Sequence, residues 1–110
     1  MSDVAQKLAA VNKRLMGLFG ADKTTMMAFR QLSEAAVRPG TLSPATKELI
    51  AVALAVAKGC EDCIIYHVAA AKKHGADRAE LIEVLAVAIE MAGGPGAVYS
   101  AKAVEAYDGL

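Results

Sequence analysis

Nine consecutive apolar residues, Leu49 to Ala57, decide much of what this chain can fold into. Ser43-Pro44 precedes them, a good N-cap followed by a residue suited to the first helical position. Gly59 follows as a helix stop. The stretch therefore reads as a helix that is apolar nearly all round, and such a helix must be covered on most sides by other elements. It is far short of the ~20 apolar residues that span a bilayer. The 110 residues predict one domain, 1–110, large enough to bury a core without staples. Alanine accounts for 24 of them and tryptophan for none, which predicts close-packed helices rather than strands.

The expected fold class is all-α, with about six helices. The first runs from about Asp3 to Phe19, where Val4, Leu8, Val11, Leu15 and Leu18 step by fours and threes along one stripe. The second spans roughly Lys23 to Val37, with Met26, Met27, Phe29 and Leu32 as its apolar members, and Pro39-Gly40 breaks the chain after it. The third starts at Pro44. The fourth begins around Cys60 and stops before Gly75. Asp77 and Glu80 have capping-box spacing and open a fifth that lasts to about Met91. Gly93-Gly94-Pro95-Gly96 reads as a tight turn before a last helix up to Tyr107.

Twelve basic and twelve acidic residues balance to zero net charge. A nucleic-acid module normally carries a basic surplus, so that class is disfavoured, as is a polybasic membrane-surface protein. The apolar fraction of 55% is high for so small a surface, which predicts a homo-oligomer. The start Met1-Ser2-Asp3 is polar and leads into an amphipathic pattern, so no secretory signal is expected and the cytoplasm is the expected location. In a reducing compartment, two cysteines as close as Cys60 and Cys63 point to catalysis, redox chemistry or metal binding rather than a structural staple.

The chemistry-bearing segment is Glu48-x11-Cys60-Glu61-Asp62-Cys63-x3-His67. Spacings of three and four put Cys60, Cys63 and His67 on one helix face. Cys60 falls at the helix N-terminus, where free N–H groups favour a thiolate. His67, one turn beyond Cys63, is placed to take its proton. Glu48 lies on the preceding helix and would bond His67 if the two helices pack side by side, fixing its tautomer. The same carboxylate also suits the first turns of a helix without any partner. Glu61 and Asp62 oppose thiolate formation, although both suit a helix first turn. Three readings follow. One is a dithiol that cycles to a disulfide with His67 as base. Another is a metal site with Cys60, Cys63 and His67 as ligands and Glu48 or His74 as the fourth. The last is a pair of inert cysteines beside a satisfied histidine. A non-catalytic helical oligomer with a metal-binding or redox-sensing site is the alternative to an enzyme.

Glu-x11-Cys-x2-Cys-x3-His resembles the motif of the alkylhydroperoxidase D (AhpD-like) family, within the carboxymuconolactone decarboxylase superfamily. Lys47-Glu48-Leu49-Ile50-Ala51, Tyr66-His67-Val68, Ala70-Ala71, Gly75-Ala76 and Gly93-Gly94-Pro95 extend the resemblance over roughly residues 40 to 107. The resemblance implies an all-α fold and a homo-oligomer, a trimer or a hexamer built as a trimer of dimers. It implies a thiol-dependent peroxidase or disulfide reductase that acts on a hydroperoxide or disulfide substrate. An external thiol reductant would complete the cycle, with neither organic cofactor nor metal. By the same resemblance Cys63 is the attacked cysteine, Cys60 its resolving partner, and His67 and Glu48 the proton relay. Asp62 departs from the peroxidase pattern, which has a histidine there. The decarboxylase branch lacks the CxxC pair, so lactone decarboxylation is disfavoured.

Overall fold

Each helix begins at a side chain that can accept from its unpaired N–H groups, as helix ends require. A computed structural model describes residues 2–110. Ser2 caps α1 (Asp3–Ala21), Asp22 caps α2 (Lys23–Val37), and Ser43 caps α3 (Pro44–Lys58) with Pro44 just inside. Cys60 caps α4 (Glu61–Lys73) with its sulfur, and Asp77 opens α5 (Arg78–Gly109) through a complete capping box with Glu80. Among the described residues there is no strand.

The fifth and sixth helices expected from the sequence are both present and run together as α5, meeting at Gly93 without a separate loop. That element is nonetheless not straight. Thirty-two helical residues would extend about 48 Å at 1.5 Å each, whereas the longest dimension of the molecule is 38 Å. Arg78 and Asp108, near its two ends, bond through two contacts of 2.9 and 3.1 Å. The chain reverses at Gly93, whose φ of 68° and ψ of −144° are non-helical. Residues 78–92 and 94–109 are thus antiparallel limbs, and Pro95 falls in the first turn of the second, where its missing N–H costs no bond. By length and composition α5 passes for a membrane-crossing helix. Folded back at Gly93, neither limb reaches the ~20 residues of a span.

Gly93 allows a clean prediction. A methyl group there would meet nothing within 4 Å, so only the backbone resists it. Gly93→Ala is expected to destabilise the protein by about 1–3 kcal/mol, the cost of holding an alanine in a glycine-only region. Urea unfolding of the two proteins checks this.

The core is where α3, α4 and the two limbs of α5 meet. Val52, Val56, Ile64, Val68 and Leu81 are almost fully buried there. The apolar run behaves as its sequence requires on one side, with Leu49, Val52, Ala55 and Val56 buried, but Ile50 and Leu54 remain exposed. The first-helix stripe is only half engaged. Val4 and Val11 are buried and Leu8 packs on the core, whereas Leu15 and Leu18 are exposed. No residue of α2 is buried, and Phe29 and Leu32 are 60% and 65% exposed. From about Val11 onward α1, and with it α2, form an arm (the α1–α2 arm) that stands away from the core and presents apolar side chains.

Candidate active site

The link between α3 and α4 is as short as a helical hairpin permits. Gly59 takes a left-handed conformation (φ 68°, ψ 37°), and its N–H donates back to the carbonyls of Ala55 and Val56. The next residue, Cys60, already caps α4. Two antiparallel helices joined this tightly must pack side by side, which brings Glu48 opposite His67 although 19 residues separate them. Glu48 Oε2 lies 2.7 Å from His67 Nδ1. Glu48 is 6% exposed, so its carboxylate finds in His67 the polar partner that burial demands. A carboxylate only accepts, so Nδ1 carries the hydrogen and Nε2 is left as the basic nitrogen.

Cys60 and Cys63 are joined as a disulfide, with Cα atoms 5.3 Å apart. The Cys63 backbone N–H donates to Cys60 Sγ at 3.3 Å, so the helix N-terminus points at the first sulfur, as the spacing anticipates. Exposure divides the pair. Cys60 is half-buried, whereas Cys63 is exposed and lines a cleft of about 1040 Å³. His67 and Tyr66 line the same cleft, with the two rings edge-on at 5.3 Å. The opposite wall is the α1–α2 arm, contributing Val11, Leu15, Phe19, Met26 and Phe29. Tyr66 thus lines the cleft without entering the Glu48–His67 pair.

Whether Glu61 and Asp62 disfavour a thiolate was open on sequence grounds, and the fold supplies partners for both. Arg14 of α1 bonds Asp62 at 2.8 Å. Lys7 of α1 bonds Glu61 at 3.2 Å, and Lys102 of α5 approaches it at 3.6 Å. The Lys7 hydrogen bond holds the Glu61 carboxyl below its usual range, and the same bond raises the Lys7 ammonium. Sequence reasoning passed over these three cations. The signal was there in part, since Lys7 and Arg14 are seven apart, two turns along the side of α1 that carries Val4 and Val11.

Of the residues singled out from sequence, the structure brings together Glu48, Cys60, Cys63 and His67. It does not bring His74 to them. That residue is the C-cap of α4, at the opposite end of the helix from Cys60, where its charge would suit the helix dipole. Among the described residues no group of three or more His, Cys, Asp and Glu side chains could hold a metal ion.

The chain is 47% identical over 109 residues to an uncharacterised protein of Cupriavidus necator, covering 99% of this chain and 96% of that one. It is 38% identical over 81 residues to uncharacterised protein 4 of the cox locus of Paracoccus denitrificans, covering 74% and 73% of the two. The fold matches a carboxymuconolactone decarboxylase family protein of Legionella pneumophila with a TM-score of 0.91, at 39% identity and over 96% and 94% of the two chains. A family member from Thermotoga maritima, for which a part in an antioxidative response has been suggested, matches with a TM-score of 0.81 at 27% identity, over 93% and 87%. The family model for carboxymuconolactone decarboxylase matches residues 24–106, which hold α3, α4 and nearly all of α2 and α5 with every residue of the Glu-Cys-Cys-His set, and the chain belongs to that family.

Proposed function

We propose that this protein is a thiol-dependent peroxidase or disulfide oxidoreductase of the alkylhydroperoxidase D type. The observation that carries the reading is one cleft lined by both Cys63 and His67, with Glu48 buried behind the imidazole and Cys60 within bonding distance of Cys63. In the reduced protein His67 Nε2 takes the Cys63 thiol proton, and Glu48 stabilises the resulting imidazolium. The Cys63 thiolate attacks the outer oxygen of a hydroperoxide and the O–O bond breaks. The departing alkoxide takes the proton from His67 and leaves as an alcohol, with Cys63 now a sulfenic acid. Cys60 then attacks the Cys63 sulfur. The S–S bond forms, the S–O bond breaks, and hydroxide leaves as water with the Cys60 proton. An external dithiol returns two electrons and two protons by thiol–disulfide exchange. A disulfide substrate would follow the same route through a mixed disulfide.

In this scheme the relay is Glu48 and His67 alone, because Asp62 is engaged by Arg14. A cycle that consumes thiol reductant suits the cytoplasmic location expected from the sequence. The exposed apolar side chains of α2 and α5, Phe29, Leu32, Met91 and Val98 among them, fit the homo-oligomer expected from composition.

The test is mass spectrometry of thiol-trapped protein after one equivalent of an organic hydroperoxide. The expected product is an intramolecular Cys60–Cys63 disulfide, and in Cys60→Ser a sulfenic acid on Cys63. Two thiols that stay free after the dose, and also after one equivalent of a small disulfide, would overturn the proposal.

A further inference from the structure

Asp62 stands beside Cys63 in the first turn of α4, and a bare carboxylate there would raise the thiol pKa. Its partner is supplied from 48 residues away. Arg14 Nη2 lies 2.8 Å from Asp62 Oδ2, and both residues line the cleft with Cys63. The pair is 61% and 56% exposed. Ion pairs that open to solvent contribute little to stability, so the fold itself does not need this one. Its consequence is local: it cancels the charge on the residue next to Cys63 in the chain.

We propose that Arg14 is a positioning residue for Cys63, setting the thiol's reactivity by neutralising Asp62. The proposal rests on the reading of Cys63 as the attacking thiol. Arg14 lies outside the stretch matched by the family, which begins at residue 24. The control is therefore built from the α1 arm, onto a position where the resemblance leads one to expect a histidine.

The other charges facing Cys63 are accounted for. On its own helix, Glu61 is held by Lys7 from α1 and Lys102 from α5. His67 is held by Glu48 from α3. From α2, Arg30 and Glu34 line the cleft and bond one another at 3.1 Å. Arg14 and Asp62 are the pair whose removal, one side at a time, changes the charge beside the thiol with the fewest other consequences.

The experiment is the pH dependence of iodoacetamide alkylation in the Cys60→Ser background, which leaves Cys63 as the single thiol of the chain. Serine is itself a good N-cap, so α4 keeps its start. Arg14→Ala should move the half-point of the alkylation rate up by about half a pH unit. Asp62→Asn, which leaves Arg14 unopposed, should move it down by a similar amount. The double variant and Arg14→Lys should both return it to the starting value. In about 1 M salt, where the screening length is about 3 Å, the differences should collapse. Half-points that do not move, that move in the same direction for both single variants, or that keep their differences in high salt would overturn the proposal. The two readings fail separately. A protein that consumes no peroxide but shows the opposed shifts refutes the peroxidase cycle alone. One that consumes peroxide with unmoved half-points refutes the role of Arg14 alone.

Discussion

Cys63→Ser is expected to reduce hydroperoxide consumption by about a thousandfold or more, to the uncatalysed background. The reason is chemical and not structural. A serine hydroxyl is far less acidic than a thiol, so His67 cannot generate the anion at neutral pH. Oxygen also has no counterpart to the sulfenic acid, so the oxidising equivalent has nowhere to go. The stability of the reduced protein should barely change, because Cys63 is exposed. Cys60→Ser should behave differently, with one rapid turnover followed by arrest as the sulfenic acid waits for a resolving thiol. Peroxide assays of the pre-reduced proteins, with and without excess dithiol and read beside a thermal melt, separate the cases. Turnover retained by Cys63→Ser would refute its assignment as the nucleophile.

The second large effect falls on the relay. His67→Asn should slow peroxide reduction by about a hundredfold or more, within the range that a positioned general base supplies. Glu48→Gln is the subtler change. Its amide oxygen can still accept from His67 Nδ1, so the tautomer survives, but the negative charge that supports the imidazolium is gone. A loss of about tenfold or more is expected, short of removing the base itself. Both deficits should shrink as pH rises through the thiol range, because hydroxide then forms the thiolate without help. The rate of peroxide consumption measured from neutral to alkaline pH checks this. A deficit that stays constant with pH would mean that the two residues position the substrate or the fold rather than move a proton. Glu48→Ala confuses the issue and is a poorer test, since it leaves a half-buried N–H without its acceptor at a cost of about 1–3 kcal/mol.

Much of this site could be read from residue spacing, and the parts that could not share a cause. Cys60, Cys63 and His67 lie within eight residues, and helix geometry alone puts them on one side. The caps at Ser43 and Asp77 and the helix start at Cys60 were legible because they depend only on neighbours along the chain. The reversal at Gly93 was legible as a turn, since clustered glycine and proline mark one whatever surrounds them. The α1–α2 arm was not. Periodicity shows that Leu15, Leu18 and Phe29 occupy apolar faces, but a pattern does not say what such a face meets. Here Leu15 and Phe29 line a cleft above the thiols instead of filling a core.

Sequence by itself determined the all-helical class, the helix limits to within a few residues and the alignment of two thiols with an imidazole. Each of these follows from interactions between residues at most a few positions apart. The tertiary structure decided that Glu48 is buried against His67, that Cys63 rather than Cys60 opens onto the cleft, and that Arg14, Lys7 and Lys102 cancel the acids between the cysteines. Those contacts span 19 to 54 residues, and they exist only once helices have docked. Docking is directed by non-directional burial summed over whole faces, which no local spacing encodes.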